Sequence, residues 1–339
     1  MLKARVILTL AAIAAAPVAQ AQPVADFYKG KVVSILIGFP PGGGYDANAR
    51  LLARYMSRYI PGEPNLVPSN MPGAGSLVAA NYTYNVAQAD GTVFSIFAPS
   101  TAMEPILGNK TARFDPAKFS WIGSMAQEVA YCGIWQGPGV ATSWADAMKQ
   151  EVIFGGGATS AITYQHPMVL KNVLGAKLKI VPGYPGTREI NLAMQRGEVH
   201  GSCGLFVSSI ATQWAKEVAS GQLKLVLQMG SKTTDRYGKV PSVFDFAKTE
   251  EDRQILDVHF GQLLLSRPFA APPNVPADRL AALRTAFMAT MKDKEFLAEA
   301  TKAGLDVDPA TGDEIQAILA KFAGFPPEVL RKADEAMGR

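Results

Sequence analysis

From residue 32 onward the chain alternates short apolar runs with Gly- and Pro-rich breaks, each followed by helical periodicity. The first run, Val-Val-Ser-Ile-Leu-Ile, predicts a buried strand over 32–37. It enters Phe39-Pro40-Pro41-Gly42-Gly43-Gly44, which continues neither strand nor helix. Asp46 then stands where an N-cap belongs, and Leu51, Leu52, Tyr55, Met56 and Tyr59 recur on one helical face. Arg50, Arg54 and Arg58 repeat every four residues on the other side, as on a solvated face. The unit then recurs. Residues 65–69 are extended, Pro72-Gly73-Ala74-Gly75 breaks the run, and Ser76 is placed to cap a helix. After an Asp90-Gly91 turn, a strand over 93–98 ends in Pro99-Ser100-Thr101. Residues 120–135 contain a further extended stretch with no helical crossover, as expected of a chain passing between two lobes.

A second series follows. A strand at 152–154 enters Gly155-Gly156-Gly157-Ala158-Thr159-Ser160 and then a helix through Leu174. A strand at 178–181 enters Pro182-Gly183-Tyr184-Pro185-Gly186-Thr187, then a helix with Ile190, Leu192 and Met194 inward. Short apolar runs predict strands at 199–203, 223–228 and 261–265. Leu280, Leu283, Phe287 and Met291 mark an amphipathic helix that opens a helical tail. Alternating strand and helix implies an α/β fold with largely parallel sheets, and two series imply two doubly wound lobes. The predicted division is 22–124 plus 230–339 for one domain and 125–229 for the other.

Residues 1–21 form a different class of segment. Lys3 and Arg5 precede an apolar run from Val6 to Ala16, then Pro17 and the triplet Ala19-Gln20-Ala21. That order predicts a secretory signal peptide cleaved after Ala21. The run is shorter than the ~20 apolar residues of a membrane span. Losing Lys3 and Arg5 lowers the formal charge from +4 to +2. With no basic tract, nucleic acid is not an expected partner. Cys132 and Cys203 are too few for a disulfide scaffold. They are either bridged in an oxidising compartment or are two buried thiols.

The chemistry of the chain lies in its turns. In open α/β sheets ligands collect beyond the carboxyl ends of the strands, where the glycine-rich segments of both halves fall. Helix-start N–H groups attract anions, and glycine admits a ligand close to them. Other motifs are absent or incomplete. Gly155-x-Gly157-x-x-Ser160 lacks the third glycine of a dinucleotide fingerprint, and there is no phosphate loop, His-Glu-x-x-His or Gly-x-Ser-x-Gly. His166, His200 and His259 lack metal-ligand spacing, so neither a metal nor a cofactor is expected.

At this point the motifs are similar to those of a known family. Phe39-Pro40-Pro41-Gly42-Gly43-Gly44-Tyr45-Asp46 resembles the first cleft loop of the substrate-binding proteins of tripartite tricarboxylate transporters, the Bug family. Asn70-Met71-Pro72-Gly73-Ala74-Gly75 resembles their second signature. Asp90-Gly91-Thr92, the run Val-Pro-Gly-Tyr-Pro-Gly at 181–186, Gly197-Glu198-Val199 and Val275-Pro276-Ala277-Asp278-Arg279-Leu280 follow in the same order. The resemblance implies a type II periplasmic-binding-protein fold closing on a carboxylate held by loop amides, hydroxyls and waters. It implies ligand contacts from Pro41, Gly42, Gly43, Asp46, Ser100 and Thr101, and across the cleft from Gly157, Ala158, Thr159, Ser160, Tyr184 and Gly186. It also puts the strands carrying Cys132 and Cys203 side by side in one sheet, near enough for a bridge.

The chain departs from the family pattern at Ala193, His200, Tyr45 and Arg188. Tyr45 and Tyr184 are expected to offer aromatic faces to a ligand with an apolar body, and Arg188 a bidentate contact to a second carboxylate. The expected protein is a monomeric periplasmic receptor, not an enzyme, delivering a small organic carboxylate to membrane permease subunits. The alternatives are a secreted hydrolase using an exposed serine and a purely structural periplasmic protein.

Overall fold

The computed structural model describes residues 24–338, so the expected signal peptide, residues 1–21, lies outside the described residues. The first series contains α1 (Val24–Tyr28), β1 (Val32–Ile37), α2 (Gly44–Met56), β2 (Asn65–Asn70), α3 (Leu77–Asn85), β3 (Val93–Ile96), α4 (Pro99–Met103) and β4 (Ser120–Ser124). The second contains β5 (Ala130–Trp135), α5 (Trp144–Ala147), β6 (Val152–Gly155), α6 (Ile162–Leu174), β7 (Leu178–Val181), α7 (Thr187–Gln195), β8 (Gly201–Phe206), α8 (Val207–Gln213), α9 (Ala215–Ala219) and β9 (Leu223–Met229). The chain then returns through α10 (Glu250–Phe260), β10 (Pro268–Ala271), α11 (Ala277–Thr290), α12 (Lys294–Lys302), β11 (Ala310–Thr311), α13 (Gly312–Ala323) and α14 (Pro327–Ala336).

The strands form two sheets, in the orders β11-β4-β10-β3-β1-β2 and β7-β6-β8-β5-β9. In each, three neighbouring strands run parallel and a strand contributed after a crossover, β10 or β5, runs antiparallel beside them. Each sheet thus receives one strand from the chain just arriving from the other, which ties the lobes together twice. Parallel register aligns the strand ends: Ile37 pairs with Asn70 and Ile96, and Gly155 with Val181. The loops that follow therefore emerge along one edge of each sheet.

Burial explains the strand pattern. Val33, Ile35 and Ile37 are fully buried in β1, and Trp121 and Ile122 in β4. Cys132 and Cys203, on the paired strands β5 and β8, form a disulfide with Cα atoms 3.9 Å apart.

Three local expectations change. Gly261–Leu265 is a 3-10 helix rather than a strand; the strand is Pro268–Ala271, beyond Arg267. An apolar run of five residues fits either state by periodicity, and here backbone Gly261 N–H donates to Asp257 O, so the run follows directly on the preceding helix. Asp46 is not the N-cap of α2, which is Gly43; its carboxylate instead accepts Gly42 N–H at 3.0 Å from inside the first turn. Leu192 is 43% exposed while Ile190 and Met194 are buried.

The returning chain also reaches across the lobes. α14 packs on both α10 and α6, and α10 packs on α6, whose other side covers β7 and β8. Among the described residues no helix is long and apolar enough to cross a membrane.

Candidate functional site

A cavity of about 380 Å³ lies between the two sets of strand ends. Its first-lobe wall comes from 38–41 and 43–45, including Phe39, Pro41, Gly43 and Tyr45, and from 72–76. The second-lobe wall comes from Gly157, Ala158, 161–163, 183–189, Phe206 and Ser209. The sequence rule that ligands collect at carboxyl ends of strands is met in both halves at once.

The lobes touch over this cavity. Ser160 Oγ donates to Ala74 O, Ser100 Oγ donates to Ser160 O at 3.2 Å, and Gln165 Nε2 donates to Glu104 Oε1 at 2.6 Å. Two glycines permit the approach. A Cβ on Gly75 would lie 2.6 Å from Ala161 N, and φ there is +62°, where L side chains are strained. A Cβ on Gly44 would lie 2.7 Å from Ser208 Oγ. The geometry is that of a closed cleft.

Three helices of nine or more residues begin at the cavity: α2, α6 and α7. Their N-caps, Gly43, Ala161 and Gly186, make no side-chain cap bond. The foremost N–H groups of these helices are thus uncapped by their own N-cap side chains, and the positive ends of three macrodipoles from both lobes converge on one space. Arg188 is the one cation among the lining residues and Glu189 the one acid. The remaining walls are largely apolar or aromatic, with Phe39 stacked on Tyr45 at a ring separation of 4.3 Å.

Behind those rings lies a fully buried ion pair. Arg267 Nη2 stands 2.9 Å from Glu128 Oε2, facing it without the alignment of a hydrogen bond. The guanidinium lies 4.3 Å from the Tyr45 ring centre and 4.2 Å from that of Phe206, so one cation is held between a ring of each lobe. Arg267 also donates to Ser208 Oγ, and Glu128 Oε1 accepts Ser208 N–H at 3.1 Å. Burial pushes the Glu128 carboxyl above the usual carboxylate range, against the pull of Arg267.

Of the residues expected at the site, Pro41, Gly43, Tyr45, Gly157, Ala158, Tyr184, Gly186 and Arg188 line the cavity. Gly42, Asp46, Ser100, Thr101, Thr159 and Ser160 do not. Gly42 turns at φ +86° with its Cβ position 3.9 Å from Arg188 Nη1, and Thr159 is exposed. The others brace the walls. Asp46 is held by Gly42 N–H, Arg50 and Asn70. Burial raises its pKa, but those hydrogen bonds outweigh it and keep the carboxyl below its ordinary value. Thr101 Oγ1 bonds Ser76 Oγ at 2.8 Å and donates to Gly75 O, fixing the second loop.

Phe206, Ser209, Ile162 and Glu189 line the cavity without having been foreseen. Phe206 lies beyond the strand predicted at 199–203 and becomes a cleft residue because β8 runs on to 206.

No family model matches the chain, and no curated protein matches it. Solved structures do. Over 91% of this chain and 97% of its own, an R. palustris protein solved with adipate is similar at 19% identity and a TM-score of 0.71. The periplasmic binding protein BugD is similar at 18% identity over 91% of this chain and 98% of its own, TM-score 0.70. MatC from Rhodopseudomonas palustris, solved with bound malate, is similar at 17% identity over 88% of this chain and 99% of its own, TM-score 0.67. The likeness is one of fold: the chain has the two-lobe, type II architecture of periplasmic binding proteins.

Proposed function

We propose that this protein is an extracytoplasmic solute receptor of the tripartite tricarboxylate transporter (Bug) family. It binds a small organic carboxylate between lobes 22–124 plus 230–339 and 125–229, and delivers it to membrane permease subunits. The observation that carries this reading is the convergence of three uncapped helix N-termini from both lobes on one closed cavity. Each charge-assisted bond to a carboxylate contributes about 1.5–3 kcal/mol. Four such bonds would give roughly micromolar capture after association costs. Two proteins of the same fold were solved with carboxylates, adipate and malate, which supports the ligand class. Export through cleavage after Ala21 belongs to the same reading, and mass spectrometry of periplasmic protein is expected to find Gln22 at the N-terminus.

The test is a thermal-shift screen of carboxylates combined with mass analysis of each ligand after incubation. A ligand at a hundredfold excess over its dissociation constant adds about 2.7 kcal/mol to stability. The expected result is a shift with the ligand recovered unchanged. Turnover of a bound ester or amide would favour the hydrolase instead.

A further inference from the structure

Arg188 and Glu189 are adjacent in the first turn of α7, and both line the cavity. Among the described residues neither is engaged in an ion pair, and Glu189 Oε2 is buried with no hydrogen-bond partner. Glu189 stands at the third helical position, where a carboxylate often reaches back to cap its own helix. Here it closes no such box. Its Oε2 lies 3.3 Å from the Cβ position of Gly186, the N-cap of α7, yet it accepts no N–H.

A carboxylate oxygen shielded from water and left unpaired is unfavourable until a donor reaches it. Hydroxyls of Thr163, Thr187 and Ser209 also reach the wall, but Phe39, Tyr45, Ile162, Tyr184 and Phe206 present mostly rings and alkyl groups, and none of them supplies a positive charge. A cationic ligand group would meet both Glu189 and aromatic faces. A second ligand carboxylate would instead face a like charge across a poorly solvated space, whatever it gained from Arg188.

We propose that Glu189 determines specificity. The cavity takes a monocarboxylate whose far end is an ammonium group, the ligand carboxylate lying toward the N-termini of α2 and α6 and the ammonium toward Glu189 at the start of α7. Dicarboxylates of the same length are turned away. This rests on the carboxylate-receptor reading and adds the ligand's second functional group to it.

The test uses straight-chain carboxylates of graded length, each with a methyl, an ammonium or a carboxylate group at the far end, titrated calorimetrically. At the best-fitting length the ammonium form is expected to bind at least about tenfold tighter than the dicarboxylate, a difference of about 1.4 kcal/mol. Glu189→Gln should erase that ratio while leaving the methyl-ended ligand's affinity nearly unchanged. A dicarboxylate preferred by the unmodified protein, or a ratio unmoved by Glu189→Gln, overturns the proposal and leaves the carboxylate receptor standing. Binding by no member of the series overturns both. If Glu189→Gln does not fold, the order of affinities in the unmodified protein, with Glu189→Asp beside it, decides alone.

Discussion

Individual buried polar side chains carry much of what distinguishes this molecule. Arg267 and Glu128 are 0% and 1% exposed at their side chains, and truncating one partner strands the other in the core. Loss of one partner of such a pair typically costs about 3–5 kcal/mol. Arg267→Met should therefore lower the urea midpoint sharply, and Glu128→Gln added to it should restore part of the loss. Independent effects of the two changes would mean that the pair is not coupled. His166 makes a separate claim. It is fully buried on α6, both ring nitrogens lack partners, and burial, with His259 nearby, holds its pKa down at about 3. The unfolded chain takes up a proton as pH falls through about 6.5, while the folded chain does not until about 3. The stability His166 contributes is thus intact above pH 6.5 and lost between 6.5 and 3. Between pH 7 and 4.5 the loss should be on the order of 2–3 kcal/mol. His166→Leu should flatten that part of the stability profile, and an unchanged profile would contradict the assignment. Neither role is readable in the sequence. Arg267 sits in Leu-Ser-Arg-Pro-Phe, which looks like a polar break, and becomes a core residue only because rings from two distant segments enclose it.

At the level of elements, the strands that open each series were the most legible. A run such as Val-Val-Ser-Ile-Leu-Ile ending in Pro-Pro-Gly-Gly-Gly permits few other readings. Short apolar runs without such an ending were ambiguous, and Gly261–Leu265 shows the consequence. The turns were legible as turns, but which of their residues face the ligand depends on the opposite lobe. Ser100 and Ser160 both look like ligand hydroxyls in sequence, whereas in the structure they link the lobes. The pairing of β5 with β8 makes the disulfide possible, and it closes a loop of 71 residues in sequence separation. By the chain-entropy estimate such a loop gives about 4 kcal/mol. Cys132→Ala with Cys203→Ala is expected to lower the melting temperature by that equivalent without abolishing carboxylate binding; an unchanged melting temperature would show that the bridge contributes nothing. The start of α2 carries a prediction about closure. Ala at Gly44 would press on Ser208 and Ser209 only when the lobes meet. Overpacking of this kind costs about 1–3 kcal/mol. Gly44→Ala should therefore weaken ligand affinity by roughly ten- to a hundredfold, with little change in the melting temperature of the ligand-free protein.

For the whole molecule, two sheets, each completed by a strand from the chain arriving from the other lobe, make a pair of units joined at two crossings. On the receptor reading proposed above, motion about those crossings would open or shut the cavity, and the closed arrangement would bring the helix N-termini of both lobes to the same ligand. Only that arrangement satisfies the ligand from both sides, so binding should shift the population toward it. The central claim is that this protein captures a carboxylate by closing around it. Small-angle X-ray scattering of the protein, with and without a saturating carboxylate found in the thermal-shift screen, tests it most directly. A smaller radius of gyration with ligand, fitting the closed arrangement described above, is the predicted result. Identical scattering in the two states, at a ligand concentration shown by calorimetry to saturate the site, would contradict it.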